Sequence, residues 1–331
     1  MPVPMPTSAT ERIRHTRIKE VAQEIETLIY PSSSANILLI VGPTGVGKTT
    51  LTEYLVEREL QGASAAMATD PGHVPAVYIE AEASGEREFS WRSFFSALLV
   101  ALDGEQQLPK VAYGVDSDTG RFVKPIGPKR ESLAALRSGV ERSLNARKTR
   151  FIVIDEAAHI FSARNRGSLT TQLQTLTSLS NRCGVQIVLV GSYDLYDLMS
   201  LSAQLARRTH VVHFERYRED RPEDVRAFAT CVELMAKKLA NLRTHDLLPY
   251  AEALQKNTLG CVGTLSTVLA RANQFAGAAG GWSEDRLCRA LLTQVQTDQI
   301  LQEILDGEAA INPGLTRPSL SAPGTKRRGV R

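Results

Sequence analysis

Two rhythms of apolar residues divide this chain. In roughly its first two thirds, short, mostly apolar runs alternate with stretches of helical period. The runs are Ile37-Leu-Leu-Ile-Val41 (entered from Asn36), Ala76-Val-Tyr-Ile-Glu80, Phe151-Ile-Val-Ile154, residues 185–190 and residues 211–214. Each has the length of a strand buried on both faces, not of a helix. Helical spacing fills residues 11–30, 49–60, 91–102, about 129–146 and 168–182. In the first of these Ile13, Val21, Ile25 and Leu28 share a face, with Arg12, Arg14, Arg17 and Lys19 around it. Ser90 stands where an N-cap is expected. Strands alternating with helices predict an α/β fold with a five-stranded parallel sheet flanked by helices. After about residue 221 the strand signal stops, and residues 222–242, 247–256, 264–275 and 284–305 read as helices.

This shift predicts a small all-helical domain over 219–310, following an α/β domain over 31–218 and a basic helical segment over 1–30. Residues 103–128 interrupt the α/β domain with Gly, Pro and Asp, and 113–123 reads as a hairpin around Asp118-Thr119-Gly120. Residues 311–331 carry Arg317, Lys326, Arg327, Arg328 and Arg331 without an acid, the composition of a disordered basic tail.

Bulk composition adds exclusions. The chain has 331 residues, 43% hydrophobic and 23% charged, with a net charge of +3. That is a globular composition of two-domain length, whose mean charge says little about partners. No apolar run approaches the ~20 residues of a membrane helix. The Pro-rich start lacks the apolar centre of a secretory signal. Cys183, Cys231, Cys261 and Cys288 form no C-x-x-C pair, so neither a zinc site nor a disulfide framework is indicated. A cytoplasmic protein without a membrane partner is the expectation.

Chemistry concentrates at strand ends. Gly42-Pro43-Thr44-Gly45-Val46-Gly47-Lys48-Thr49, followed by Thr50, fits G-x-x-x-x-G-K-[ST] between an apolar run and a helix. The glycines let backbone N–H groups wrap a phosphate chain, and the helix start offers its positive end. Lys48 is expected to reach the β- and γ-phosphates of ATP and Thr49 to ligate Mg²⁺. Asp155-Glu156 closes the Phe151 run, at the sheet edge where ligands bind in open α/β folds. Asp155 would hold Mg²⁺ and Glu156 would activate the attacking water. Ser192, after the run 185–190, lies beside those ends and is placed to touch the γ-phosphate or the water. Arg207-Arg208 precede the last run, and either is a candidate for the cation that a neighbouring subunit supplies. His159 in Asp155-Glu-Ala-Ala-His159 is one residue off a helicase box and reads as structural.

These motifs resemble the AAA+ ATPases and, within them, the TnsC/TniB/MuB group of transposition regulators. The resemblance spans about residues 20–280 and leans on the phrases IDEAAHIF and VLVGS and on the appended helical lid. It implies a P-loop AAA+ fold and ATP-dependent rings or helical filaments on double-stranded DNA. It further implies recruitment of a transposase and a target-selection protein, with disassembly on hydrolysis. Ser192 takes the place of the polar sensor, and Arg207 or Arg208 that of the arginine finger. One departure stands out: the lid phrase Gly-x-x-Arg reads Gly260-Cys-Val-Gly263, which leaves Arg271 as a substitute or a surface residue and points to slow turnover.

The residues also carry their own argument for DNA. Residues 103–150 hold ten Lys/Arg against six Asp/Glu, a balance of +4. Lys110, Arg121, Lys124, Lys129 and Arg130 gather around the expected hairpin, which suits sequence-independent phosphate neutralisation. A replication-type ATPase, an initiator or helicase loader, is the alternative reading. A signalling or secretion ATPase fits less well, lacking the long repeats or the membrane span of those classes.

Overall fold

Five parallel strands form one sheet: β1 (Ile37–Val41), β2 (Ala76–Glu80), β5 (Phe151–Asp155), β6 (Gln186–Gly191) and β7 (Thr209–His213), in the spatial order β2-β5-β6-β1-β7. β3 (Gly114–Val115) and β4 (Phe122–Val123) pair antiparallel, Gly114 opposite Val123, as the expected hairpin requires. The computed structural model describes residues 15–29, 37–83, 89–102, 114–115, 122–123, 132–161, 166–200, 209–278 and 280–311.

The central strands are apolar apart from Asp155 at the end of β5 and Gln186 at the start of β6, because both faces are covered. Ile37, Leu39, Val41, Ile152, Ile154, Ile187 and Leu189 face one layer, built by α4 (Trp91–Ala101), α5 (Leu133–Ala146) and α6 (Arg166–Cys183). The alternate residues Leu38, Ile40, Phe151, Val153, Val188 and Val190 face α1 (Thr16–Ile29) and α2 (Lys48–Gly62). From α1, Ile18, Val21, Ala22 and Ile25 are buried there, so the N-terminal helix is part of the core. Ser90 caps α4 by accepting from Ser93 N–H, and Ser132 caps α5 in the same way through Ala135 N–H. The short helix α3 (Ser64–Thr69) carries no sequence signal that the apolar pattern revealed.

The helical domain has its own core, in which Phe228, Val232, Leu265, Val268 and Leu269 are buried. That core is built by α7 (Pro222–Lys238), α8 (Ala251–Asn257), α9 (Val262–Ala278) and α10 (Glu284–Ala290), whereas α11 (Gln294–Ile311) packs back on the sheet side, its Gly307 against Tyr193. The single helix expected over 284–305 is two. Asn257 accepts from Leu292 N–H (2.9 Å) and donates to Leu292 O (3.1 Å), which captures the chain between them. Thr293 and Gln296 then form a capping box that starts α11: Thr293 N–H donates to Gln296 Oε1 (3.0 Å) and Gln296 N–H to Thr293 Oγ1 (3.5 Å). No helix is long and apolar enough to cross a membrane among the described residues.

Candidate nucleotide-binding site

Strand register brings the chemistry to one edge. Val41 lies opposite Gly191 and His213, and Glu80 lies opposite Asp155, so the loops after β1, β5 and β6 leave the sheet side by side. The loop after β1 is Gly42-Pro43-Thr44-Gly45-Val46-Gly47, and it runs into α2. Gly47 is the N-cap of α2, in the left-handed conformation with φ of 111°, and no side chain caps the helix. The first amides of α2, at Lys48, Thr49 and Thr50, therefore remain for an anion.

Lys48 Nζ donates to Gly42 O and Pro43 O, both at 2.9 Å. Burial pulls its pKa below the ordinary lysine value, while Glu156, Asp155 and Glu303 oppose that shift. Asp155 is buried, and both its oxygens are engaged: Oδ1 accepts from Glu156 N–H (2.9 Å) and Oδ2 from the Tyr78 hydroxyl (3.1 Å). Burial first, and then the Asp155 charge, raise the Tyr78 pKa, so the phenol stays a donor. Glu156 is exposed and sits at φ of 49°, a left-handed backbone that costs a non-glycine residue about 1–2 kcal/mol. Strain of this kind at the mouth of a site fits a functional position. Ser192 follows β6 directly, with Oγ 3.4 Å from Asp194 Oδ2. His159 is exposed on a short 3₁₀ turn, its N–H bonded to Glu156 O at 3.0 Å.

The helical domain closes on the phosphate loop. Thr264 N–H, at the start of α9, donates to Gly45 O (3.1 Å). At the neighbouring Gly263 a Cβ would lie 2.6 Å from Gly45 O, so a side chain there is barred while the two segments touch. The last helix also reaches the loop, because Thr44 Oγ1 donates to Glu303 Oε1 (3.1 Å). Between α2 and α9 lies a cavity of about 620 Å³ bordered by His15, Gly47, Thr49, Thr50, Gly263 and Arg271. Its volume is ordinary for a small-molecule site. Arg271 donates to Ala290 O at 3.2 Å.

Lys48, Thr49, Asp155, Glu156 and Ser192 thus stand on one edge. Arg207, Arg208, Lys110, Arg121, Lys124, Lys129 and Arg130 lie outside the described residues. Tyr78, His15 and Glu303 belong to the site and were not singled out from the sequence. Tyr78 alone left a trace, as a polar tip two positions before the end of a buried strand.

The residues fit a Mg²⁺–nucleotide. The uncapped α2 start, the glycine loop and the half-buried Lys48 suit phosphates, while Thr49 and Asp155 supply the hydroxyl and the carboxylate that Mg²⁺ takes beside phosphate oxygens. A P-loop opening a parallel sheet under a helical lid defines a nucleotide-binding protein of AAA type. The family model for the AAA domain matches residues 31–199, more than half of the chain, and the chain belongs to that family. A comparison with curated proteins gave no match. Among solved structures the chain is similar to the ORC2 protein of Aeropyrum pernix in ADPNP–ADP complexes, with TM-score 0.54 and 18% identity over 84% of this chain and 67% of that one. It is also similar to a Walker-type ATPase of Pyrococcus abyssi, with TM-score 0.52 and 14% identity over 89% and 75% of the two chains. Both likenesses concern the fold.

Proposed function

We propose that this protein is an ATP-driven switch that assembles on double-stranded DNA and is released by hydrolysis. The observation that carries the reading is the convergence of Lys48, Thr49, Asp155, Glu156 and Ser192 on one sheet edge, under a lid bonded to Gly45. Lys48 and the α2 amides bind the phosphates. Thr49 and Asp155 would hold Mg²⁺, which supplies positive charge to the phosphate oxygens when bound. Glu156 orients and activates water, and Ser192 holds the water or the γ-phosphate in place. Arg207 or Arg208 of a neighbouring copy completes the site, which makes hydrolysis depend on assembly. Lys110, Arg121, Lys124, Lys129 and Arg130 neutralise DNA phosphates without reading sequence. Gly263, where a lid arginine is absent, supports slow, regulatory turnover. In this reading the assembled form engages a transposase and a target-selection protein.

The fold likeness to ORC2 favours a second reading, in which the same switch serves replication as an initiator or helicase loader. Electron microscopy of the protein with duplex DNA and a slowly hydrolysed ATP analogue tests the common core. Rings or filaments are expected, and isolated monomers would refute both readings. Co-purification with a transposase, or instead with a replicative helicase, separates them.

A further inference from the structure

Two side chains join across the strand that feeds the phosphate loop. β6 and β7 lie on either side of β1. Tyr193, the second residue after β6, has its hydroxyl 3.0 Å from Nε2 of His213, the last residue of β7. His213 is in register with Val41, the last residue before Gly42. The Glu215 carboxylate is 3.7 Å from Nδ1 of His213 and favours a proton there, which leaves Nε2 to accept from the phenol. Burial keeps both groups uncharged. It lowers the His213 pKa against the pull of Glu215, and it raises that of Tyr193, with Glu308 adding to the rise.

The Tyr193 ring also meets the backbone of α11. A Cβ on Gly307 would lie 2.0 Å from the ring's Cγ, so only glycine permits the approach. Gly307 stands in the interior of an 18-residue helix. A glycine there costs about 1 kcal/mol relative to alanine. Helix formation does not account for it; the ring does. Ile304 and Gly307 are the buried residues of α11, so this contact is a large part of what seats the helix. On the same side of α11, Glu303 meets Thr44 of the phosphate loop and Glu308 meets Arg216, ahead of the lid.

Ser192 is the residue between Gly191 and Tyr193. Its carbonyl accepts from Leu195 N–H at 3.2 Å, and Leu195 is buried where a Cβ on Gly191 would meet it at 2.7 Å. Tyr193 is thus held by its ring and by its hydroxyl, and it leaves the adjoining Ser192 backbone little freedom. Groups that act on a reacting centre need such support, because a small displacement removes most of their effect.

Resting on the ATP-site reading, we propose that Tyr193 is a positioning residue for hydrolysis: held between Gly307 and His213, it aims the Ser192 hydroxyl, and α11 thereby sets turnover from outside the phosphate loop.

Steady-state hydrolysis of Mg²⁺–ATP by the full-length chain with duplex DNA, beside calorimetric titration with a slowly hydrolysed analogue, tests the assignment. Ser192→Ala should lower kcat roughly ten- to a hundredfold, as loss of one donor at the reacting group does. Tyr193→Phe keeps the ring against Gly307 and removes the hydroxyl. It should lower kcat by roughly five- to tenfold, as for one buried hydrogen bond, with KM and analogue affinity within about twofold of wild type. Gly307→Ala, which favours the helix yet forces the ring aside, should do the same. In a Ser192→Ala background Tyr193→Phe should have no further effect, because Tyr193 acts through that hydroxyl. Wild-type kcat in any of the three single variants overturns the proposal, as does an equal fall caused by Tyr193→Phe in both backgrounds. Should Gly307→Ala fail to fold, the Ser192–Tyr193 cycle alone decides. A wild-type chain that binds the analogue and hydrolyses no ATP overturns this proposal and leaves the nucleotide site standing. One that binds no nucleotide overturns the ATP-site reading with it.

Discussion

The hydroxyl of Thr44, at the tip of the phosphate loop, donates to the carboxylate of Glu303 at 3.1 Å across 259 residues of sequence. The helix that brings Glu303 there is anchored on both sides. Glu308 accepts from Arg216 Nε (2.9 Å), and Gly307 lies so close to the Tyr193 ring that a Cβ would meet it at 2.0 Å. Glu303 is among the acids that hold up the Lys48 pKa, so its charge sits in the field meant for phosphates. Replacing it removes a like charge from an incoming polyanion. Glu303→Gln should tighten ATP binding by about two- to fivefold, since a partly exposed charge contact is worth ~0.5–1 kcal/mol. The gain should shrink as salt is raised. Titration at low and at high ionic strength checks this, and equal affinities in both variants would show that the carboxylate leaves when nucleotide enters.

Gly263 is where the lid phrase of the resembling family has its arginine. Restoring the arginine should harm this protein, because Gly45 O would be 2.6 Å from the new Cβ and the Thr264–Gly45 bond would break. Gly263→Arg is expected to lower stability by ~1–3 kcal/mol, as overpacking does, and to weaken ATP binding. Thermal melting with and without ATP measures both. A variant that melts as wild type and hydrolyses faster would mean that the lid swings free of Gly45 in the working enzyme.

Much of this architecture is legible in the sequence, for physical reasons. Phe151–Ile154 is apolar throughout because both faces of the strand are buried, and the two acids that follow, Asp155 and Glu156, mark the sheet edge. The P-loop is legible because its glycines and lysine are spaced for one ligand. Contacts between segments distant in sequence leave no such trace. Nothing about Glu303 distinguishes it from any acid on an amphipathic helix until α11 is folded back onto Thr44. The break before α11 did leave a signal, Thr293-x-x-Gln296, but helical spacing on either side of it masks the interruption. His15 is one residue ahead of α1, and its meaning depends on Tyr217, 202 residues away.

Lys48 and Glu156 should fail in different ways. Lys48→Ala removes the phosphate cation, and nucleotide-dependent DNA binding should disappear; undiminished binding would separate the P-loop from the DNA surface. Glu156→Gln leaves Asp155, Thr49 and Lys48 in place. It should keep ATP affinity within about twofold while the hydrolysis rate falls by roughly 10²–10⁴, the usual share of a general base. Assembled species on DNA should then persist. Phosphate-release kinetics beside electron microscopy would show it, and a Glu156→Gln protein that stays monomeric on DNA with ATP would break the link between nucleotide state and assembly.

Acid should loosen the protein through His15. Its pKa falls from 6.5 in the unfolded chain to about 4 in the fold, because burial disfavours the charged ring. Above pH 6.5 both states are neutral and the contribution to stability is complete. Between 6.5 and 4 the unfolded chain binds a proton that the folded one does not, so stability drops as pH falls, with a limiting slope of ~1.4 kcal/mol per pH unit. Other groups titrate in the same window, so the comparison must be between variants. His15→Phe should be less stable than wild type at pH 7.5, having lost the bond to Tyr217, yet its stability should fall less steeply towards pH 5. Urea unfolding of both proteins at the two pH values provides the four free energies. Parallel lines would mean that the imidazole is reached by water or by a proton in the folded state, whereas converging lines place it, neutral, behind the phosphate loop.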